Sequence, residues 1–233
     1  MKLLAVETAT RCQSVALMDG TILLAEKSQA NCTSHASSLI PAIQDLLASL
    51  PCPFSAIEGL AVSAGPGSFT GLRVGLSTMV GFRTVTGLPL VTVPTLEAMA
   101  WSYRNSVHPV CPILVARTNE VYWAQFQWKD GHRVRLLEDR VGTIRDMMDS
   151  IHRPTVLFGE GWLRHQPVIV ETLGDVAIGG AAESMNPSAY HVGLASLDAF
   201  RAGKFAGSHV SPHYVQRSEA EVQWDLKRQR VSP

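Results

Sequence analysis

The sequence predicts an α/β protein built as two similar halves, each a mixed sheet flanked by helices. Three observations carry this. A hairpin-first order of three strands and then a helix opens the chain and returns after residue 112. In each half a strand then runs into a glycine turn, 59–63 into Gly65-Pro66-Gly67 and 155–158 into Gly159-Glu160-Gly161. Hydrophobic residues make up 46% of the 233 and charged residues 17%, enough apolar material for one large domain or two small ones.

The elements follow in order. Residues 2–6, 14–18 and 21–26 read as strands, with Asp19-Gly20 as a hairpin turn. A helix spans about 34–50, with Leu39, Ile43, Leu46 and Leu50 on one face and Ile40 and Leu47 beside it. Pro41 lies inside this pattern, lacks an amide hydrogen, and should kink or split the helix. Pro51 and Pro53 end it. After the strand at 59–63, Ser68 can cap a helix from Phe69 to Thr86 that Gly87 and Pro89 stop. This helix is apolar or small almost all round, with Arg73 and Arg83 its only charges, so it should be covered on more than one side. Residues 88–93 form a strand, and Pro94-Thr95 opens a helix through about Tyr103.

Residues 104–112, with breakers at His108-Pro109 and Cys111-Pro112, cross to the second half. There, 113–116, 121–128 and 133–137 read as strands, with Asp130-Gly131 as a hairpin turn. A helix covers about 143–151, and strands follow at 155–158 and 168–172. Asn186 and Pro187 look like the N-cap and first-turn proline of a helix ending near Gly203. The chain thus divides into 1–104, 105–217 and a polar tail, 218–233, with the last helix of the second part packing back on the first. Two hairpin-first halves of this kind point to a duplicated ribonuclease-H-like fold.

Composition narrows the function. Lys plus Arg equals Asp plus Glu at 20 each, so no global field draws in nucleic acid. Cys12, Cys32, Cys52 and Cys111 form no C-x-x-C pair, and reduced thiols in a cytoplasm are the simplest reading. The apolar run Leu3-Leu4-Ala5-Val6 is too short for a signal segment, and no stretch approaches the ~20 residues of a membrane span.

Four candidate sites can be weighed. The glycine turn before Phe69 delivers a helix N-terminus that could hold an anion. It lacks the lysine of a phosphate-binding loop, and no lysine lies between Lys27 and Lys129. Glu7, Thr8 and Thr10 could position Mg²⁺ and phosphate, or could cap the hairpin through local bonds. The eight histidines offer no helical i, i+4 pair: His35 is followed by Leu39, and Pro212 separates His209 from His213. Ser68 sits between strand and helix like a nucleophile elbow, but G-x-S-x-G is not met.

Several stretches together are specific. They are Leu4-Ala5-Val6-Glu7-Thr8-Ala9-Thr10, His35 with Leu39-Ile40-Pro41, and Gly65-Pro66-Gly67-Ser68-Phe69-Thr70-Gly71-Leu72-Arg73-Val74-Gly75. Thr92-Val93-Pro94-Thr95-Leu96-Glu97-Ala98, Ala116-Arg117 and Glu120-Val121-Tyr122 join them, with looser matches at Phe158-Gly159-Glu160-Gly161 and Pro212-His213-Tyr214. In these the chain resembles the TsaB (YeaZ) family. Glu7 and Ala116 stand where that family commonly has Asp.

The resemblance implies the two-subdomain fold of the actin-like ATPase superfamily. It also implies a non-catalytic subunit that activates a TsaD-type transferase making N6-threonylcarbamoyladenosine at position 37 of tRNAs reading ANN codons. A TsaE-type ATPase would join a larger complex, the subunit alone would form a homodimer, and tRNA would bind only through the complex. ATP and a divalent metal are expected in the partner subunits, with none bound by this one. Glu7, Thr8 and Thr10 would be vestigial, and the bulky Trp162 would stand where a nucleotide loop must be open. The resemblance places the partner interface on helices 34–50 and 68–86, and we expect it at His35, Leu39, Ile43, Leu46, Gly71, Leu72, Gly75 and Met79. Gly71 and Gly75 share one helix face and admit close approach, either by a partner helix or by the chain's own sheet. The competing expectations are an enzyme in its own right, an ATPase or a peptidase, and a direct tRNA-binding module.

Overall fold

The computed structural model describes residues 1–117 and 119–215; the tail expected at 218–233 lies outside the described residues. The first sheet contains β1 (Lys2–Glu7), β2 (Gln13–Asp19), β3 (Ile22–Gln29), β4 (Gly59–Gly65) and β5 (Leu90–Pro94), in the order β3-β2-β1-β4-β5. β1 runs antiparallel to β2 and parallel to β4, and Leu4 pairs with both Leu17 and Leu60. Its near-continuous apolar run reflects cover on both faces. Leu4 and Val6 point to one core, shared with Leu39, Ile43 and Leu46 of α1 (His35–Ala48) and Leu76 and Met79 of α2 (Phe69–Thr86). Leu3 and Ala5 point to another, shared with Val192, Leu197 and Phe200 of the last helix (Ala189–Arg201). That helix therefore packs on the first sheet.

The second sheet repeats this plan. It contains β6 (Val110–Arg117), β7 (Glu120–Lys129), β8 (His132–Thr143), β9 (Thr155–Phe158) and β10 (Ala177–Gly179), in the order β10-β9-β6-β7-β8. Counted within each half, the two strand orders are identical. Its core is built on the buried Trp123, Phe126 and Phe158. The short α3 (Thr95–Ala100) joins the halves: Leu96 and Met99 belong to the second core while Ala98 belongs to the first.

Three local expectations are corrected, and one strand is added. Residues 168–172, expected as a strand, lie in helix α5 (Glu160–Leu173), which follows α4 (Ile144–Met148). The β-branched Val168, Ile169 and Val170 favour a strand locally, but β9 must cross to β10, and Ile169 is fully buried on the helix's inner face with Trp162. The strand that follows is β10, which local reading missed. Pro41 does not split α1, which runs unbroken through it, as α5 runs through Pro167. The last helix, α6 (Ala189–Arg201), is capped by Ser188, whose hydroxyl accepts from the His191 amide, and not by Asn186. The helix expected at 69–86 has those bounds: the Ser68 hydroxyl accepts from the Gly71 amide and Gly87 ends it at φ 72°.

Because α3 serves both cores, the halves should unfold together. Leu96→Ala is expected to lower stability by about 2–5 kcal/mol within one transition. Urea titration followed by tryptophan fluorescence and circular dichroism checks this, and two separated transitions would contradict it.

Candidate functional site

The region around the glycine turn is closed by the chain itself. Ser68 donates its amide to the Ala9 carbonyl at 2.6 Å, and the Gly71 amide goes to the Ser68 hydroxyl at 3.2 Å. These two donors at the start of α2 are thereby taken, and Ser68 serves as a helix cap. The Thr8 hydroxyl donates to the Gly71 carbonyl at 2.9 Å. The Thr10 hydroxyl accepts from the Cys12 amide at 3.1 Å.

Glu7 is fully buried. One carboxyl oxygen accepts from the Ala9 amide, while Oε2 and the buried Ser63 hydroxyl have no hydrogen-bond partner among the described residues. Burial pushes the carboxyl up to about 7, against the opposing pull of the Ala9 amide, the Ser63 hydroxyl and the Thr8 amide. A carboxyl sealed from solvent and threonine hydroxyls turned to backbone atoms do not fit a divalent cation or a phosphate. No group of three or more His, Cys, Asp or Glu side chains among the described residues is arranged to hold a metal.

The expected interface residues require correction. Leu39, Ile43, Leu46, Gly71, Leu72, Gly75 and Met79 are all buried inside this chain. A Cβ on Gly71 would collide with the Thr8 carbonyl oxygen, and one on Gly75 with the Thr8 hydroxyl. The glycine face thus admits the chain's own 8–10 loop. His35 is half-buried, with Nε2 2.9 Å from the Thr10 carbonyl and Nδ1 3.3 Å from Gln13 Oε1, and ties α1 to that loop. Hydrophobicity selected the inward stripe of both helices.

The outward side is different. Thr70, Arg73 and Ser77 of α2 and Ala36 and Ile40 of α1 are exposed. Between the helices lies an open groove of about 490 Å³, lined by Ala36, Phe69, Thr70, Arg73, Val74, Ser77 and Thr78. Helical phase could have found Thr70, Arg73 and Ser77, since they lie opposite Gly71 and Leu72 on the wheel.

Tyr214 could not have been found that way, being 141 residues from Arg73. Residues 204–215 cross from α6 back over the first half. The Ala206 amide bonds the Leu90 carbonyl at 2.8 Å, and Arg83 holds the carbonyls of Ala206 and Gly207 at 3.2 and 2.8 Å. The His213 amide then bonds the Ala64 carbonyl at 2.6 Å. Gly65, at φ 111°, leaves room for this strap: a Cβ there would lie 2.8 Å from the His213 carbonyl oxygen. Tyr214 stacks on Phe69 with centroids 5.3 Å apart and accepts from Arg73 Nε at 3.1 Å.

At the start of α5, Trp162 turns into the second core, so the indole does not close a loop as expected. Glu160 accepts from the Val115 amide at 3.1 Å, and burial raises its carboxyl.

Comparison with known proteins agrees with this architecture. The profile of the family described as TsaD, tRNA N6-adenosine threonylcarbamoyltransferase, matches residues 28–162. The tRNA threonylcarbamoyladenosine biosynthesis protein TsaB of Escherichia coli strain K12 is 31% identical over 236 residues, 94% of this chain and 96% of that one. The chain belongs to the TsaB family. A Pseudomonas aeruginosa protein described as similar to the peptidase YeaZ superposes with a TM-score of 0.77 at 25% identity, over 92% of this chain and 99% of that one. An activator of 2-hydroxyisocaproyl-CoA dehydratase from Clostridium difficile, solved with ADPNP, shares the fold at TM-score 0.51 and 9% identity, covering 91% of this chain and 100% of that one. Among the described residues of this TsaB-family chain, no helix is long and apolar enough to cross a membrane.

Two expectations follow. The unfolded chain ionises Glu7 near 4.5, whereas the folded chain keeps the proton to about 7. Its stabilising contribution is therefore complete below 4.5 and is lost as pH rises to about 7. Glu7→Gln should match wild type near pH 4 and exceed it above pH 7, by up to roughly 3 kcal/mol at about 1.4 kcal/mol per pKa unit. Melting curves across pH test this, and parallel profiles for the two proteins would refute it. Gly75→Leu should fail through the monomer: its side chain would collide with the hydroxyl of the fully buried Thr8, which is bonded to the Gly71 carbonyl, so melting temperature and soluble yield fall together before any binding is measured. A normally melting Gly75→Leu protein would contradict the packing.

Proposed function

We propose that this chain is a non-catalytic subunit that binds and activates a TsaD-type transferase in N6-threonylcarbamoyladenosine synthesis on tRNA. The carrying observation is the outward side of α1 and α2. It is a groove of small and apolar residues, with one cation, that no element of the described chain covers. A helix pair of this kind suits a partner helix laid along it. Membership of the TsaB family, together with the TsaD profile match, supports the choice of partner.

The non-catalytic part of the reading rests on the site's chemistry. Thr8, Thr10 and Ser68 bond their own chain, and Glu7 is sealed from solvent. Neither a phosphate cradle nor an activated serine remains at this turn. ATP and divalent metal then belong to the transferase and to a TsaE-type ATPase, and tRNA binds only through the complex, in the cytoplasm. The balanced charge of the chain agrees with this, since phosphate contacts dominate affinity for nucleic acid. Alone, the subunit would cover the same groove by pairing with a second copy.

Ser77 lies at the centre of the outward side and is exposed. Ser77→Trp should fold and melt as wild type yet lose co-purification with the transferase and the tRNA modification the pair performs. Retention of the complex by a folded Ser77→Trp protein would remove the groove as the interface.

A further inference from the structure

We propose that the α1–α2 groove is selective for a different protein over a second copy of this chain. The selecting group is Arg73, held by Phe69 and Tyr214 to receive a carboxylate from the partner's helix. This rests on the docking reading above and goes beyond it by naming the chemistry the partner must bring.

The arginine is prepared by three contacts. Its guanidinium carbon lies 3.7 Å from the centroid of the Phe69 ring, its Nε donates to the Tyr214 hydroxyl, and Tyr214 itself stacks on Phe69 with an interplanar angle of 24°. One face and one edge of the guanidinium are occupied. The two terminal nitrogens remain for a bidentate acceptor, which suits a carboxylate. No carboxylate pairs with Arg73 among the described residues, although it is exposed on the groove wall. The other arginine of α2, Arg83, is already bound to the strap carbonyls.

A second copy cannot supply the missing charge from these helices. A two-fold contact sets the same patch against itself. α2 contains no Asp or Glu, and the one carboxylate of α1, Asp45, lies 3.7 Å from Lys27. Self-pairing therefore buries two guanidinium groups against a surface without a carboxylate in this patch, whereas a heterologous helix bearing Asp or Glu neutralises one. A single cation amid Ala36, Thr70, Val74 and Thr78 also suits a protein helix better than a run of nucleic-acid phosphates.

The test uses the full chain and the TsaD-type transferase of the same organism. Calorimetry at about 50 and 300 mM salt should show wild-type binding weakening with salt and Arg73→Glu binding at least about tenfold weaker. Tyr214→Phe, which keeps the ring and loses the acceptor, should give a smaller loss of about two- to fivefold. In sedimentation, an equimolar mixture of wild type and Arg73→Glu should associate more tightly than either alone, because the mixture supplies opposite charges across the two-fold. Wild-type affinity and salt dependence for a folded Arg73→Glu protein would overturn the proposal. If Ser77→Trp still abolishes binding in that case, the groove remains the interface and only the carboxylate assignment fails. If Ser77→Trp is also silent, both readings fail. Loss of tRNA binding in Arg73→Glu with transferase binding intact would instead assign the arginine to a phosphate, against the proposal.

Discussion

The arrangement depends on one contact, the seating of α2 against the 8–10 loop. Gly71 and Gly75 lie so close to Thr8 that neither position can carry a Cβ, and the Thr8 hydroxyl bonds the Gly71 carbonyl. Gly costs ~1 kcal/mol relative to Ala within a helix, so two in one helix mark an approach that the fold needs. The contact also fixes the rotation of α2 about its axis. With the glycines facing Thr8, Leu72, Leu76 and Met79 enter the core, and Thr70, Arg73 and Ser77 are left outside. The same seating engages two amides at the start of the helix with Ala9 and Ser68. Engaging the Ser68 and Gly71 amides and presenting an outward helix face are thus two results of one packing event.

The duplication explains where each half is free to differ. Both sheets share one strand order, and α2 and α5 occupy equivalent places after β4 and β9. Each begins with a glycine turn, but the first turn is sealed by Ala9 and the second by Glu160 bonded to Val115. Of the helices that follow the last strands, α3 contributes to both cores and α6 packs on the first sheet and on α3. α6 packs on β1 and β2, and its Ser188 hydroxyl donates to Glu26, which also accepts from Ser14.

Charge completes the connection. Glu97 of α3 bonds Arg133 and Arg135 of β8, and Arg135 also reaches Asp139 at 2.6 Å. Asp139, almost fully buried, lies 3.5 Å from His213 of the strap. The strap is thereby held by the second half at His213 and by the first at Arg83 and Arg73. Tyr214 reaches the groove because a chain of hydrogen bonds carries the strap along the edge of the first sheet.

The sequence by itself determined the two-half α/β plan, the bounds of α2 and the absence of a phosphate-loop lysine at the glycine turn, while the bond from Ser68 to Ala9 that occupies the turn is tertiary. The first three are local: Ser68 and Gly87 set helix ends through backbone chemistry, the apolar runs of β1 and β2 mark strands with both faces covered, and a missing lysine needs no neighbour to be read. Tertiary structure alone decided the helical state of 168–172, where Ile169 and Trp162 beneath the second sheet override a β-branched run. It also decided which side of α1 and α2 faces outward. A helix with no broad polar face does not declare its orientation, and the group that fixes it, Thr8, is 63 residues from Gly71. Tyr214 beside Arg73 is the same case at greater distance: contacts made by chain crossing carry no local periodicity, so only the folded chain places them.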